Sequence, residues 1–385
     1  MSLNRIFLAL ALPLVFSACG TGRLAPAARA PGMEYAEVCD RPSHCLELSR
    51  LVMGTDHLGK MENAKTVEIL DEAVRLGINA FDTSPIYAER IEYRLGEWLR
   101  AGRTGLYVIS KGGFPRDLGP GTYSSRLKGS SAEIAAGVRE ELDTSSRQLN
   151  GNIAIYLLHR DDADFENFKK TARQATPAGT ILAALARPEL RNSYGMLGVS
   201  NWETARVAEA LASADLDPGL PRPAVNSPYF SLLEMSSVTT HSGGVQVRHE
   251  EMADPAFQPG IKLMPYSPLG GFSIIRRGWA EARRDARERR DAGDRYWGHA
   301  FEAIFHEANE KRFNRAAAFI ESFNTAHGTD YTVDQLLNAY VLAHPRADFL
   351  VIGPRDLEQL RRTVGALRLS KLLTREDLDH LHGKE

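Results

Sequence analysis

A chain of 385 residues is long enough to bury a large core in one or two domains. Its 43% apolar and 25% charged residues are typical of a globular protein. The formal net charge of -2 gives no strong electrostatic field, which argues against nucleic acid or an anionic membrane surface as a partner.

The N-terminus has the pattern of an export signal. One positive charge, Arg5, precedes an apolar run over residues 6–16, and small residues follow it. The run is too short to span a membrane comfortably and is typical of a secretory signal peptide. Because the residues FSAC resemble a bacterial lipobox, we predict a signal peptide over residues 1–19 and a lipid-anchored protein of the cell envelope, modified at Cys19. The alternative is a cytoplasmic protein that begins at Met33.

Residues 20–45 are predicted to form a tether between this signal and the folded part of the chain, since their first part is rich in Gly, Ala, Pro and Arg. Cys39 and Cys45 lie near its end in CDRPSHC, and two cysteines this close after an export signal are candidates for a small-loop disulfide. Two free thiols are the alternative. A metal site needs more ligands than these cysteines and His44 supply, so no metal is predicted.

From residue 46 onward, short β-rich apolar runs alternate with amphipathic helical stretches such as NAKTVEILDEAVRLG. The predicted strands are Leu48–Met53, Ile78–Asp82, Leu106–Ser110, Ile153–Leu158, Tyr194–Val199, Ala224–Asn226, Ile261–Pro265 and Phe349–Ile352. Eight strands that alternate with helices predict an α/β fold, a (β/α)₈ barrel, over residues 46–375. A doubly wound sheet is the alternative, but the G-x-G-x-x-G that usually follows its first strand does not occur in the sequence.

Residues 274–325 interrupt this alternation and are predicted to form a long helical insertion before the eighth strand. The alternating Arg, Asp and Glu residues are typical of a solvated helix face rather than of a nucleic-acid site. Aromatic residues are expected to pack the insertion onto the barrel, namely Trp279, Tyr296, Trp297 and Phe301. A loop after the seventh strand of a barrel lies at the catalytic end, so the insertion is also placed to shape a substrate pocket.

Polar residues follow the predicted strands at the points where the strands end. In a parallel barrel these carboxyl ends meet at one rim, where the active sites of this architecture lie. The candidates are Asp82 with Tyr87 in the following loop, then Lys111, His159, Ser200, Asn201, Asn226 and Ser267. A structural role such as helix capping or a salt bridge explains each one alone. Together, the Asp, Tyr, Lys and His of this set have one coherent chemical use.

That use is the reduction of a carbonyl group, in which negative charge grows on the oxygen and a proton donor must reach it. The hydroxyl of Tyr87 is a poor acid near neutrality, because the ordinary pKa of tyrosine is about 10. We expect the ammonium of Lys111 to lower that pKa by stabilising the phenolate, and the carboxylate of Asp82 to hold the ammonium in place. A neutral His159 can donate to the same oxygen and orient the carbonyl.

Seven motifs that occur in family order resemble the aldo-keto reductases. They are GINAFDTSPIYAERIEYRLGEWL (77–99), VISKGGFP (108–115), IAIYLLHRDD (153–162), YGMLGVSNW (194–202), AVNSPYFSLLE (224–234), LMPYSPLGGF (263–272) and FLVIGPRDLEQL (349–360). The resemblance implies a (β/α)₈ barrel and a cofactor, usually NADPH, that binds in an extended form without a Rossmann motif. It is therefore consistent with the missing G-x-G-x-x-G.

The resemblance also implies roles for individual residues. Tyr87 becomes the proton donor, and the catalytic set is completed by Asp82, Lys111 and His159. The expected cofactor-binding residues are Ser200, Asn201, Asn226, Ser227, Phe230, Ser267, Leu269, Gly271, Gly353, Arg355, Gln359 and Thr363. Among them, Phe230 stands where the family usually has a tyrosine that stacks on the nicotinamide ring. Arg355 is placed to pair with a 2′-phosphate, which favours NADPH over NADH.

The sequence therefore predicts an NADP(H)-dependent oxidoreductase that reduces a small-molecule aldehyde or ketone to an alcohol. Monomers are common in the resembled family, and a monomer is expected here. The alternative is a non-turnover NADP(H)-binding or redox-sensing module of the same fold. The intact catalytic set favours the enzyme, because a protein that only binds the cofactor does not need an acid assembly.

Overall fold

Short strands and helices alternate along the chain in the computed structural model, which describes residues 29–87, 90–119, 122–162, 176–237, 244–271 and 274–384. The strands are β1 (Tyr35–Arg41), β2 (His44–Ser49), β3 (Leu51–Gly54), β4 (Ala80–Asp82), β5 (Tyr107–Gly112), β6 (Arg116–Gly119), β7 (Thr122–Ser124), β8 (Ile155–Leu158), β9 (Met196–Ser200), β10 (Val225–Ser227), β11 (Lys262–Leu263) and β12 (Leu350–Ile352). The α-helices are α1 (Asn63–Arg75), α2 (Ile91–Arg100), α3 (Ser131–Gln148), α4 (Ala178–Leu185), α5 (Pro188–Arg191), α6 (Thr204–Leu216), α7 (His249–Ala253), α8 (Ile274–Arg277), α9 (Trp279–Asp291), α10 (Arg295–Ile304), α11 (Glu307–His327), α12 (Val333–Ala343), α13 (Leu357–Ser370) and α14 (Arg375–His382).

Eight of the strands form one parallel sheet that closes into a barrel. Side by side they run β11-β10-β9-β8-β5-β4-β3-β12, and each neighbouring pair is parallel. Two backbone hydrogen bonds join the outermost strands: the N–H of Phe349 donates to the Leu263 carbonyl (3.1 Å), and that of Val351 donates to the Pro265 carbonyl (2.8 Å). The predicted (β/α)₈ barrel is therefore confirmed.

The first predicted strand is the one whose boundaries differ most from the structure. Residues 48–53 are divided at Arg50, because β2 ends at Ser49 and β3 begins at Leu51. The guanidinium of Arg50 donates to the carbonyls of Leu342 (3.1 Å) and Ala347 (2.9 Å), before β12. These long-range bonds hold the chain at the point where it enters the barrel, and no local sequence pattern predicts them.

The barrel strands bury side chains on both faces, since one face lines the interior and the other packs under the helices. In β5, for example, Ile109 belongs to the interior cluster and Val108 to the layer between strands and helices. Helix α1 contributes Ile69, Leu70 and Ala73 to that outer layer from one buried face. Burial on both faces is the reason that these strands read as short continuous apolar runs.

An antiparallel hairpin of β1 and β2 covers the amino-terminal end of the barrel. Val38 and Leu48 are fully buried and belong to the same cluster as the barrel interior. Cys39 and Cys45 face each other in the hairpin and form a disulfide, as the spacing had suggested. Residues 35–45 of the predicted tether thus lie in a folded hairpin that seals the barrel. Cys19 and the predicted signal peptide lie outside the described residues.

The predicted insertion forms four helices, α8 to α11, between β11 and α12. Trp279 packs against Phe305 (ring centroids 5.3 Å apart) and anchors a separate apolar cluster. The cluster also contains Tyr229 and Leu233 from the segment after β10, and Trp297 and Phe301 pack against it. The expectation that aromatic residues attach the insertion to the barrel is confirmed for three of the four predicted residues, while the side chain of Tyr296 lies outside the described part.

A buried ion pair holds the loop after β8 at the rim of the barrel. The guanidinium of Arg206 makes a bidentate contact with Asp161. Its Nε and Nη2 donate to the two carboxylate oxygens at 2.7 and 2.9 Å, and both side chains are almost fully buried. The guanidinium also lies over the ring of Trp202, 5.2 Å from its centroid. This contact ties α6 to the segment that begins with His159, so it fixes the backbone on which the predicted histidine stands.

Candidate active site

The barrel strands aim three of the predicted polar side chains at one point. Alternate residues of a strand face the same side, and each of these side chains lies two positions beyond an apolar residue of the barrel interior. The pairs are Ala80 and Asp82, Ile109 and Lys111, and Leu157 and His159. All three polar side chains are buried at the carboxyl end of the barrel. The period of two therefore explains why residues from three separate strands meet.

The ammonium of Lys111 is the centre of this group. Its Nζ donates to Asp82 Oδ1 at 2.5 Å, to the Thr83 carbonyl at 3.0 Å and to the hydroxyl oxygen of Tyr87 at 3.0 Å. These three bonds use all three protons of the ammonium. Tyr87 reaches it because the turn after β4 is closed by a bond from the Tyr87 N–H to the Ser84 carbonyl at 3.1 Å. The phenol is thus held beside an ammonium and its counter-ion.

The imidazole of His159 lies next to the phenol. The two rings meet edge to face with centroids 6.1 Å apart, and Phe114 packs against the imidazole at 5.2 Å. His159 Nδ1 lies 3.4 Å from the hydroxyl oxygen of Ser84. The structure therefore brings together the four residues that the sequence proposed as a catalytic set, in an arrangement that lets the phenol and the imidazole face one oxygen atom.

The acidity of the phenol differs from the expectation. Burial raises the pKa of Tyr87 to about 12, although the Lys111 ammonium attracts the phenolate and works in the opposite direction. Lys111 acts to lower this pKa as expected, but the loss of hydration outweighs one ammonium, so the pKa of Tyr87 lies above its ordinary value. Burial also acts to lower the pKa of Lys111, but attraction to Asp82 and Tyr87 outweighs it and raises that pKa to about 12. At neutral pH the site holds a phenol and an ammonium.

The remaining two groups differ in charge. Burial, together with the positive charges of Arg160 and Lys111, holds the pKa of His159 well below its ordinary value, so the imidazole is neutral at pH 7. Burial raises the pKa of Asp82, and the Lys111 ammonium 2.5 Å away works against this. The carboxylate remains the counter-ion of that ammonium. The site therefore offers a neutral N–H donor beside a phenol.

A second polar group follows β9. Asn201 has a left-handed backbone (φ 60°) and uses both ends of its side-chain amide. Its Nδ2 donates to Ser200 Oγ at 2.9 Å and to the His159 carbonyl at 3.2 Å. Its Oδ1 accepts from the Tyr266 hydroxyl at 2.6 Å and from the Val245 N–H at 3.1 Å. Four bonds hold this amide at the rim beside the four residues proposed as a catalytic set.

The barrel as a whole matches a known family. The sequence profile of the aldo/keto reductase family matches residues 50–384. This chain belongs to the aldo/keto reductase family. It is also 26% identical over 339 residues to the uncharacterized oxidoreductase YrpG of Bacillus subtilis (strain 168), a match that covers 84% of this chain and 89% of that protein. The family membership predicted from the seven motifs is confirmed. The chain is an oxidoreductase of a family that generally uses NAD(P)H and acts on small-molecule carbonyl compounds.

Tyr266 is a residue of this aldo/keto reductase that sequence reasoning missed. It comes two positions after Met264, which belongs to the barrel interior, so the strand period aims its ring at the rim. The ring is half-buried, and its hydroxyl donates to Asn201 at 2.6 Å. The alternation of inward-facing and outward-facing residues, continued beyond the short strand β11, would have predicted this position.

Two residues predicted to bind the cofactor lie elsewhere. Asn226 is the outward-facing neighbour of the interior residue Val225, and its Nδ2 donates to Gln258 Oε1 at 2.9 Å. Phe230 is fully buried and packs against Tyr340 and His344, with ring centroids 5.9 and 4.9 Å away. Neither presents an open surface at the rim, because one lies on the helix side of the sheet and the other beneath α12.

Ser227 and Ser200 keep their predicted place at the rim. Ser227 is two positions beyond the interior residue Val225, so it follows the inward alternation. Its carbonyl accepts a hydrogen bond from Ser200 Oγ at 2.8 Å. This bond joins the ends of β10 and β9 and supports the amide of Asn201, which donates to the same serine hydroxyl.

The segment after Tyr266 forms an open turn that contains three predicted residues. Ser267 and Gly271 have left-handed φ values of 59° and 76°, and the Gly270 N–H donates to the Ser267 carbonyl at 3.0 Å. Leu269 is half-buried between them. Gly271 is exposed, and a Cβ there would meet no atom of the described residues within 4 Å, so its backbone can approach a ligand. Such a turn can bring peptide N–H groups close to a phosphate.

The predicted adenosine end lies after β12, and its residues differ in accessibility. Gly353 and Arg355 are exposed, and Gln359 is half-buried with its Oε1 accepting from the Arg355 N–H at 2.9 Å. Thr363 is buried, and its hydroxyl donates to the Gln359 carbonyl within α13 at 2.8 Å. Direct contact between Thr363 and an adenine is therefore not supported.

Positive charges gather around Arg355. Its guanidinium lies 3.5 Å from His57 Nε2, and a partial loss of hydration together with the charge of Arg276 lowers the pKa of Arg355, while Asp56 opposes them. Burial, Arg355 and Lys60 also act to lower the pKa of His57, while Asp56 opposes them. We call Lys60, Arg276 and Arg355 the cationic patch. Asp56 offsets part of this repulsion, and a bound anion such as a phosphate would relieve the remainder.

Proposed function

We propose that this aldo/keto reductase uses NADPH to reduce an aldehyde or ketone to an alcohol, with Tyr87 as the general acid. The observation that supports the proposal most is the 3.0 Å bond from the Lys111 ammonium to the Tyr87 hydroxyl, backed by the contact with Asp82 at 2.5 Å. A site that only binds a dinucleotide has no use for an acid held in this way.

Each residue of the site has a separate task in this reaction. NADPH, when bound, supplies the hydride to the carbonyl carbon. Tyr87 donates its hydroxyl proton to the carbonyl oxygen, and the ammonium of Lys111 stabilises the phenolate that remains. Asp82 holds the ammonium in place. The neutral imidazole of His159 donates to the same oxygen, which fixes the direction of the carbonyl before the proton moves.

The side chains around the rim fit a nicotinamide dinucleotide. We expect the carboxamide to lie beside Ser200, next to the Asn201 amide that four internal bonds hold in place, and the half-buried ring of Tyr266 offers the stacking face that was first assigned to Phe230. The open turn that ends at Gly271 suits the pyrophosphate, because it has accessible backbone. The cationic patch lies further along the rim and suits a phosphate on the adenosine.

The test of this function is a turnover assay. The purified chain is mixed with NADPH and a panel of aldehydes and ketones, and the loss of NADPH absorbance is followed. Consumption of NADPH that depends on the carbonyl compound is the expected result. Binding of NADPH, seen as quenching of protein fluorescence, without consumption on any carbonyl would contradict the proposal and would favour a non-turnover NADP(H)-binding or redox-sensing module.

Replacement of Arg355 by alanine is expected to weaken NADPH binding by about 10- to 100-fold and NADH binding much less, because a charged hydrogen bond contributes about 1.5–3 kcal/mol. Fluorescence titration with both cofactors measures the two losses. Arg375→Ala is the matched control, since Arg375 is an exposed arginine of α14 whose charge pairs with Asp379. Equal losses for the two cofactors would mean that Arg355 does not read the 2′-phosphate.

We further propose that the chain is exported and anchored through a lipid on Cys19. The Cys39–Cys45 disulfide is of the kind that persists in oxidising compartments. Within the described residues, no helix has the length and apolar character needed to cross a membrane. Fractionation of the native protein and its intact mass test the proposal. Cleavage before Cys19 with a lipid-sized mass increment is expected, and an unmodified chain in the soluble fraction would contradict it.

A further inference from the structure

Ser84 lies beside the catalytic set although neither its sequence position nor the reaction assigns it a task. It follows Thr83 in the turn after β4 and is fully buried. Its hydroxyl oxygen lies 3.4 Å from His159 Nδ1. Among the described residues, this hydroxyl is the hydrogen-bond partner of the imidazole ring. Phe114 and Tyr87 pack against the ring, with centroids 5.2 and 6.1 Å away.

The direction of this hydrogen bond decides where the imidazole carries its proton. A neutral imidazole has one N–H, so either Nδ1 donates to Ser84 or Ser84 donates to Nδ1. If Nδ1 donated, the buried hydroxyl proton of Ser84 would have no acceptor among the described residues, and an unmatched buried donor is costly. If Ser84 donates, its proton is matched, and the proton of His159 is on Nε2.

We propose that Ser84 is a positioning residue that holds His159 in the tautomer with its proton on Nε2. The consequence for catalysis, which rests on the proposed function, is that Nε2–H points its proton at the carbonyl oxygen. The opposite tautomer would turn a nitrogen lone pair toward that oxygen, where negative charge grows, and would oppose the reaction. The buried hydroxyl of Ser84 thus selects the tautomer of the neutral imidazole that can donate to the carbonyl oxygen.

The tautomer can be measured without any turnover. Long-range ¹⁵N–¹H correlation spectra of the full chain, labelled with ¹⁵N-histidine, distinguish a protonated from an unprotonated ring nitrogen. The signals of His159 are identified as those missing from His159→Gln. We expect Nε2 to be protonated and Nδ1 unprotonated in the wild type. A wild-type His159 with its proton on Nδ1 would overturn the proposal, whether or not the chain reduces any carbonyl.

The variant Ser84→Ala tests the role of the hydroxyl. We expect the two tautomers of His159 to become mixed, and kcat for carbonyl reduction to fall about tenfold, in line with the loss of other groups that orient a histidine. NADPH affinity is expected to stay unchanged, since Ser84 makes no contact with the cationic patch. Ser370→Ala is the matched control, because Ser370 also has a buried hydroxyl, bonded to the Leu367 carbonyl at 2.9 Å and distant from the rim.

The outcomes of this experiment separate the two proposals. If the wild type shows the Nε2–H tautomer and Ser84→Ala loses it, the positioning role stands even when no substrate is turned over. If Ser84→Ala keeps the wild-type tautomer and the wild-type kcat, Ser84 is only a packing residue. If Ser84→Ala does not fold, the wild-type spectrum by itself still decides the tautomer.

Discussion

Replacement of Tyr87 by phenylalanine is expected to lower the rate of carbonyl reduction by about 10²- to 10⁴-fold, the usual contribution of a positioned general acid. NADPH binding is expected to stay close to that of the wild type, because the ring remains and only the hydroxyl is lost. The described partner of that hydroxyl is the ammonium of Lys111 at 3.0 Å, which keeps its bonds to Asp82 and to the Thr83 carbonyl. The assay follows NADPH consumption, and fluorescence titration reports binding.

A matched control for this variant is Tyr93→Phe. Tyr93 lies in α2, a few residues beyond Tyr87, and its ring is 40% exposed under the guanidinium of Arg90. The Tyr93→Phe variant loses the same hydroxyl at a position outside the site, so its activity should equal that of the wild type. If Tyr87→Phe were as active as Tyr93→Phe, the proton donor would have to be another group.

The pKa of Tyr87 sharpens this expectation. Because burial raises it to about 12, the phenol is protonated throughout the neutral range in the protein without cofactor. A phenol of this kind donates its proton only if the phenolate is stabilised as it forms, and the Lys111 ammonium is the positive charge in contact with the hydroxyl. In the proposed reaction, we therefore expect Lys111 to stabilise the developing charge rather than to ionise the phenol beforehand.

Replacement of Lys111 by methionine is expected to lower kcat by about 10²- to 10³-fold, comparable to the loss of one electrostatic contact in an active site. It is also expected to lower the free energy of unfolding by about 3–5 kcal/mol, because it leaves the buried carboxylate of Asp82 without its counter-ion. The pKa of Tyr87 should rise further, since the charge that opposed the effect of burial is gone. Steady-state kinetics and urea unfolding measure the first two effects.

The double variant Asp82→Asn with Lys111→Met separates the catalytic effect from the loss of stability. Removing both charges leaves neither position with an unpaired ion, and such a neutral pair is often as stable as the ion pair that it replaces. We therefore expect the free energy of unfolding to recover while kcat remains low. Recovery of kcat together with stability would show that the Lys111 charge is not needed for reduction.

The meeting of the four polar residues proposed as a catalytic set was predictable from local features of the sequence. Each barrel strand is a short apolar run, and parallel strands in a barrel necessarily bring their carboxyl ends together. Asp82, Lys111 and His159 stand at three such ends, and the turn that follows Asp82 is short enough to return Tyr87 to the same point. These relations depend on strand period and chain order, which a sequence shows directly.

The cofactor surface was less predictable, because it depends on which side of a strand each residue takes. A shift of one residue moves a side chain from the rim to the helix layer. Asn226 fell on the helix side in this way, and Phe230 lies beyond β10 beneath α12. Tyr266 was overlooked although the alternation from Met264 points to it. The strand β11 is only two residues long, so its period is hard to read without its neighbours.

By itself, the sequence determined the barrel, the order of its strands and the four polar residues at their ends, since these follow from short-range periodicity. The tertiary structure decided that the Cys39–Cys45 hairpin seals the barrel and that Tyr266 rather than Phe230 has a face at the rim. It also decided that burial outweighs Lys111 in setting the pKa of Tyr87. The reason is that burial and hydration are sums over residues distant in the chain, and no local segment contains them.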